Sequence, residues 1–149
     1  MLGGLARWLR AAGYDAWWDS AVADWDLIRL ALREHRILLT SDTGIFRIGI
    51  VCDGDLPALF IPHGLGKQDQ LALVLKHFGL SLREPRCMAC GGALVEVPRE
   101  QVRDRVPPRS YAWMERFYGC ERCGRLFWQG THWQRIRETL NQLSPDGLA

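Results

Sequence analysis

Four cysteines carry the clearest chemistry in the chain. Cys87-Met88-Ala89-Cys90 and Cys120-Glu121-Arg122-Cys123 are two CxxC pairs, followed by Gly91-Gly92 and by Gly124. A CxxC turn presents two sulfurs on one side of a tight loop, and two facing loops give the closed tetrahedron of a structural zinc site. Glycine after each pair lets the backbone adopt conformations closed to other residues, so that amides point at the sulfurs. The 29 residues between the pairs, 91 to 119, must hold a hairpin and an arginine-rich excursion. Two disulfides would also use four cysteines, but they fit a reducing compartment poorly, and a redox CxxC has no reason to occur twice. Four thiolates leave no open coordination position, so Cys87, Cys90, Cys120 and Cys123 are expected to bind zinc as a structural metal.

Acidic residues form the second pattern. Asp42 follows an apolar strand in Thr40-Ser41-Asp42-Thr43-Gly44, Asp19 follows Trp17-Trp18, and Asp24 lies in the same loop at the start of the next helix. In open α/β sheets, reactive groups collect beyond the carboxyl ends of the strands. Parallel strands would open all three carboxylates onto one edge, where a magnesium or manganese ion relieves their repulsion and activates water for phosphodiester cleavage. The plainer readings are that Asp24 caps a helix and Asp42 shapes a turn. Asp15 precedes its strand and faces the other edge, while Asp53 and Asp55 read as turn residues.

The elements that must position these groups alternate. Leu2, Leu5, Ala6 and Leu9 recur at helical spacing, with Gly13 as the stop. Ala16-Trp17-Trp18 reads as a short strand, and Asp24 as the N-cap of a helix whose apolar face is Leu27, Ile28, Leu30 and Ala31. Arg36 to Thr40 reads as a strand covered on both faces. Ile48–Cys52 and Ala58–Ile61 are further strand candidates around the turn Asp53-Gly54-Asp55. A helix over Lys67–Phe78 ends at Gly79. Alternating helix and strand predict an α/β layer over residues 1–85. A polar linker with Pro85 leads into residues 86–149, which hold the four cysteines and a closing helix from about His132 to Leu143.

Composition narrows the remaining classes. The chain has 149 residues, 48% of them hydrophobic and 24% charged, enough for a core and too few for more than two small domains. No apolar run reaches the length of a membrane span. Arg7 and Arg10 interrupt the one stretch resembling a secretory leader, so a cytoplasmic location is expected. Residues 1–84 hold nine Lys/Arg against ten Asp/Glu, whereas residues 85–149 hold ten Arg against seven acids. Arg99, Arg103, Arg105 and Arg109 lie close together near Trp113. Arginine matches phosphate and stacks on flat rings, although a solvated surface accounts for such a run as well.

Taken together, these segments resemble a known family. Leu2-Gly3-Gly4-Leu5-Ala6-Arg7-Trp8-Leu9-Arg10 with Gly13-Tyr14-Asp15, then Arg36-Ile37-Leu38-Leu39-Thr40-Ser41-Asp42, look like the Mut-seven C-terminal RNase domain. The resemblance continues through both CxxC pairs, Val106-Pro107-Pro108, and Phe127-Trp128-Gln129-Gly130-Thr131-His132-Trp133. It implies a PIN-like parallel sheet layered with helices, a C-terminal zinc ribbon and a metal-dependent RNase activity. It also strengthens the reading of Asp24 and Asp42 as metal-holding carboxylates. The family pattern has a short apolar strand ending in an aspartate just before the segment equivalent to Met1-Leu2-Gly3, and often a basic residue where Ser41 stands. The resemblance therefore leaves two alternatives: a given start downstream of the natural one, or a chain that lacks a core strand and one metal ligand and would be inactive as written.

Two functions follow as expectations. One is RNA hydrolysis at an ion held by Asp24 and Asp42, with the arginine-rich ribbon on the RNA backbone. The alternative is a non-catalytic RNA- or ribosome-binding module on the same fold. A protein-interaction ribbon is a third reading, one that predicts no salt-dependent RNA affinity. Among the remaining residues, Cys52 reads as a small buried side chain. Thr131 reads as a helix cap with His132 packed locally, and an RNA contact is the alternative role for His132. One of Trp17 and Trp18 is expected in the core and the other beneath a helix, and Gln70 is a loose candidate for the acidic edge.

Overall fold

The computed structural model describes residues 2–144. The chain runs through a first helix α1 (Gly3–Ala11), α2 (Asp24–Arg33), a strand β1 (Leu38–Thr40), α3 (Gly49–Cys52), β2 (Ala58–Phe60) and α4 (Lys67–Phe78). It continues with β3 (Leu94–Val97), α5 (Pro108–Trp113), β4 (Phe117–Cys120), β5 (Leu126–Phe127) and α6 (Thr131–Leu143). Short 3-10 turns occupy Thr43–Arg47 and Arg99–Val102. Among the described residues no helix is long and apolar enough to cross a membrane.

β1 and β2 pair in parallel, Leu38 opposite Ala58 and Thr40 opposite Phe60. Successive strand side chains point to opposite faces, and the packing follows that rule. Leu39 and Leu59 pack on a cluster built from Leu5 and Leu9 of α1 with Leu71, Val74 and Leu75 of α4. Leu38 and Ala58 belong instead with Ile28 and Ala31 of α2, Ile45, Val51 and Leu56. Helices thus cover the parallel pair on both faces, the arrangement the continuous apolar run at residues 37–39 anticipates. The other edge of β1 has no strand partner among the described residues. An apolar groove of about 470 Å³ lies nearby, lined in part by Leu5, Leu27, Leu30, Ile37 and Leu39.

The second sheet is antiparallel in the order β3-β4-β5, with Leu94 opposite Cys120 and Val97 opposite Phe117. Its own core is Val102, Val106 and Phe117, with Trp128 and Tyr111 against it. The expected division at residue 85 is crossed by packing, because Ile136 and Leu140 of α6 are buried in the cluster of α1 and α4.

Several local expectations are corrected. Ile48–Cys52 is not a strand: Gly49–Cys52 forms a helical turn that buries Val51 and leaves Cys52 exposed, so Cys52 is not a core residue. Five apolar residues cannot distinguish a strand from a short helix by periodicity. Ala16 to Trp18 is irregular, and both tryptophans are substantially exposed, with the Trp18 ring lying against Gly3. Finally, Asp24 is the first residue of α2 rather than its cap, which is Ala23, and Gly130 rather than Thr131 caps α6.

Candidate functional site

The two CxxC loops meet at one end of the antiparallel sheet. Cys87 and Cys90 immediately precede β3, while Cys120 ends β4 and Cys123 follows it in the next turn. The pairing of Leu94 with Cys120 fixes their approach. All four sulfurs lie within 4.8 Å of one another, with Cys87 to Cys123 at 3.6 Å and Cys90 to Cys120 at 3.4 Å. Four sulfurs each about 2.3 Å from a shared zinc would stand about 3.8 Å apart, so the cluster has the dimensions a tetrahedral ion needs.

The surroundings are built for thiolates. Gly92 N–H donates to Cys90 Sγ at 3.4 Å, and the N–H groups of Arg122 and Cys123 donate to Cys120 Sγ at the same distance. A β-carbon on Gly92 would stand 2.7 Å from Cys120 Sγ and 3.3 Å from Cys90 Sγ, so glycine there admits the sulfurs. Burial, opposed by amide donors, pushes the Cys87 thiol up to about 12. At Cys120 burial acts in the same sense, but the Cys123 and Arg122 amides and the neighbouring thiols outweigh it and hold the group down to about 6. Four sulfurs with this donor chemistry can bind a metal such as zinc.

Arg10, to which the sequence alone assigned no structural role, ties this cluster to the rest of the molecule. Its guanidinium is buried and donates to the carbonyls of Ala16 at 2.8 Å, Met88 at 3.1 Å and Ala89 at 3.2 Å. Burial lowers its pKa, while Cys90, Cys87 and Asp15 oppose that shift. The available signal was spacing: Arg10 stands four residues after the buried Ala6, on the apolar side of α1. Asp15 is occupied structurally, paired with Arg36 at 2.9 Å.

Part of the arginine-rich excursion is also structural. Arg99 stacks on Tyr111 at 4.2 Å and donates to its carbonyl, and Arg105 donates to Gly124 O at 3.0 Å. Arg103 and Arg109 remain exposed. Arg109 and the exposed Trp113 are four residues apart on α5, which puts a cation and a ring on one side of a short helix.

Asp42 lies two residues beyond β1 and is exposed, with its Oδ1 accepting from Gly44 N–H at 2.8 Å. Asp24 is exposed in the first turn of α2, and Asp19 accepts from Ala21 N–H at 2.8 Å. Apart from the four cysteines, no group of three or more His, Cys, Asp or Glu side chains converges as a metal would require among the described residues. Gln70 is engaged with Leu65 O at 3.3 Å. His132 is exposed at the start of α6 rather than packed.

A family model described as the Mut7-C RNAse domain matches residues 1–140. No match was found among curated proteins or among solved structures.

Proposed function

The chain belongs to the Mut7-C RNAse domain family, and from that premise we propose that it is a PIN-like, metal-dependent ribonuclease with a structural zinc ribbon. The observation that carries this reading is the family match across nearly the whole chain. Two structural features support it. Asp42 leaves the carboxyl end of a parallel strand, where α/β sheets place reactive groups, and its carboxylate is exposed. Asp24 is exposed at the amino end of α2 and makes no hydrogen bond or ion pair through its side chain among the described residues.

In this reading Asp24 and Asp42 contribute to holding magnesium or manganese, ions that typically take one or two protein carboxylates together with waters and substrate phosphates. Such an ion, when bound, lowers the pKa of water and stabilises the leaving oxygen. Zinc at the four cysteines holds the ribbon, and reduced thiols suit a cytoplasmic compartment.

Incubation of single-stranded RNA with the zinc-loaded chain and manganese tests the proposal. Cleavage that disappears in Asp42→Asn and Asp24→Asn supports it. RNA binding without cleavage favours the second reading, a binding module, for which the exposed Arg109 and Trp113 speak.

A further inference from the structure

We propose that the cavity between α1, the linker at residues 84–86 and the start of α6 is a subsite for one nucleotide unit of single-stranded RNA. The proposal rests on RNA being the ligand, as argued above, and assigns where a base and its phosphate sit. The cavity measures about 520 Å³, within the range of small-molecule sites. Four rings line it: Tyr118, Phe127, Trp128 and Trp133. Base stacking on such rings is sequence-tolerant, because every base offers a π-face.

Its charge is suited to a phosphate. Arg7, Arg86 and Arg125 line the same cavity against one acid, Glu84, and none of the three arginines forms an ion pair among the described residues. Arg86 is oriented by its Nε bond to Gly91 O at 2.7 Å, which leaves its two terminal nitrogens available. The cavity also includes the first turn of the 13-residue α6, whose cap Gly130 has no side chain to satisfy the leading amides. Free N–H groups at a helix start favour an anion.

The rings distinguish a nucleotide from bare phosphate, because only a base can stack on them. The conjunction of rings and arginines without ion-pair partners in one cavity was invisible in the sequence, because Arg7 is nearly eighty residues from the nearest of the other two arginines.

The test uses the full zinc-loaded chain without added magnesium or manganese. A fluorescein-labelled oligouridine is titrated across a salt series, and uridine 5′-monophosphate and inorganic phosphate are titrated against tryptophan fluorescence. Arg7→Glu and Arg125→Glu, with zinc content unchanged, are each expected to weaken oligouridine binding about tenfold and lower the salt slope by about 1. Trp133→Leu keeps an apolar side chain and removes the π-face, and is expected to weaken binding about fivefold. The nucleotide is expected to quench fluorescence and phosphate to leave it unchanged. Oligouridine binding by the wild type that is unaltered in all three variants, or lost instead in Arg109→Glu, overturns the subsite while RNA binding stands. No oligouridine binding by the wild type overturns both the subsite and the RNA reading beneath it.

Discussion

The backbone of Gly92 lies against the sulfur of Cys120, so close that a methyl group on Gly92 would come within 2.7 Å of it. The sulfur is not the loose end of a flexible chain, because the amides of Arg122 and Cys123 hold it in place. Gly92→Ala is therefore expected to displace Cys120 and weaken zinc binding about 10–100-fold, the range seen when groups supporting metal ligands are disturbed. Chelator competition on the purified chain measures this. Gly54→Ala serves as a comparison, since nothing lies within 4 Å of that position and only its backbone is strained; zinc affinity there should be unchanged.

Acid should release the metal. Cys120 is held down to about 6, so its thiolate favours the folded cluster fully above the ordinary thiol value near 9, and that contribution is lost as pH falls through about 6. Cys87, pushed up to about 12, has the opposite sign in the metal-free protein: its proton stabilises the fold below 9, and the ion must expel it. Both effects make apparent zinc affinity rise with pH. Zinc release followed with a chromogenic chelator should steepen between pH 7 and pH 5.5, and retention independent of pH across that interval would contradict a thiolate cluster.

Much of this arrangement was legible before the structure. Lys67–Phe78 has an apolar face at helical spacing and a glycine stop, and the helix ends as read, with Gly79 left-handed at φ 61°. The CxxC pairs declared their chemistry because tight turns make it local, so no knowledge of the distant fold was needed. The failures share a cause. Ile48–Cys52 is too short for periodicity to decide, and Trp17 and Trp18 follow no repeat. α6 reads correctly as a helix, yet nothing in its sequence says that Ile136 and Leu140 return to the core of α1 and α4. The candidate site divides in the same way: the thiols are a local pattern, whereas meeting of Asp24 with Asp42 depends on tertiary placement that spacing cannot supply.

Arg10 offers a test of how the ribbon is held. Replacement by methionine keeps the bulk and leaves three carbonyls, on Ala16, Met88 and Ala89, without their donor. Loss of buried hydrogen bonds to a charged group should cost about 3 kcal/mol, read as a shift of the urea midpoint. Arg10→Lys should recover only part of it, because an ammonium cannot serve diverging carbonyls as a planar fork does. Equal stability of all three proteins would mean that the first CxxC loop does not depend on α1.

Asp42 can be examined with two substitutions that part chemistry from structure. Its Oδ1 accepts from Gly44 N–H and so caps the turn at Thr43–Arg47. Asn keeps an oxygen for that bond but loses the charge, so Asp42→Asn should hold stability within about 0.5 kcal/mol. Asp42→Ala removes the acceptor as well and should cost about 1 kcal/mol, as lost caps do. If the carboxylate holds a catalytic ion, both variants should lose manganese-dependent RNA cleavage by about a hundredfold or more, irrespective of their different stabilities. Cleavage that instead tracks stability, retained in Asn and reduced in Ala, would assign Asp42 to the turn alone and shift the search for the ion's ligands elsewhere.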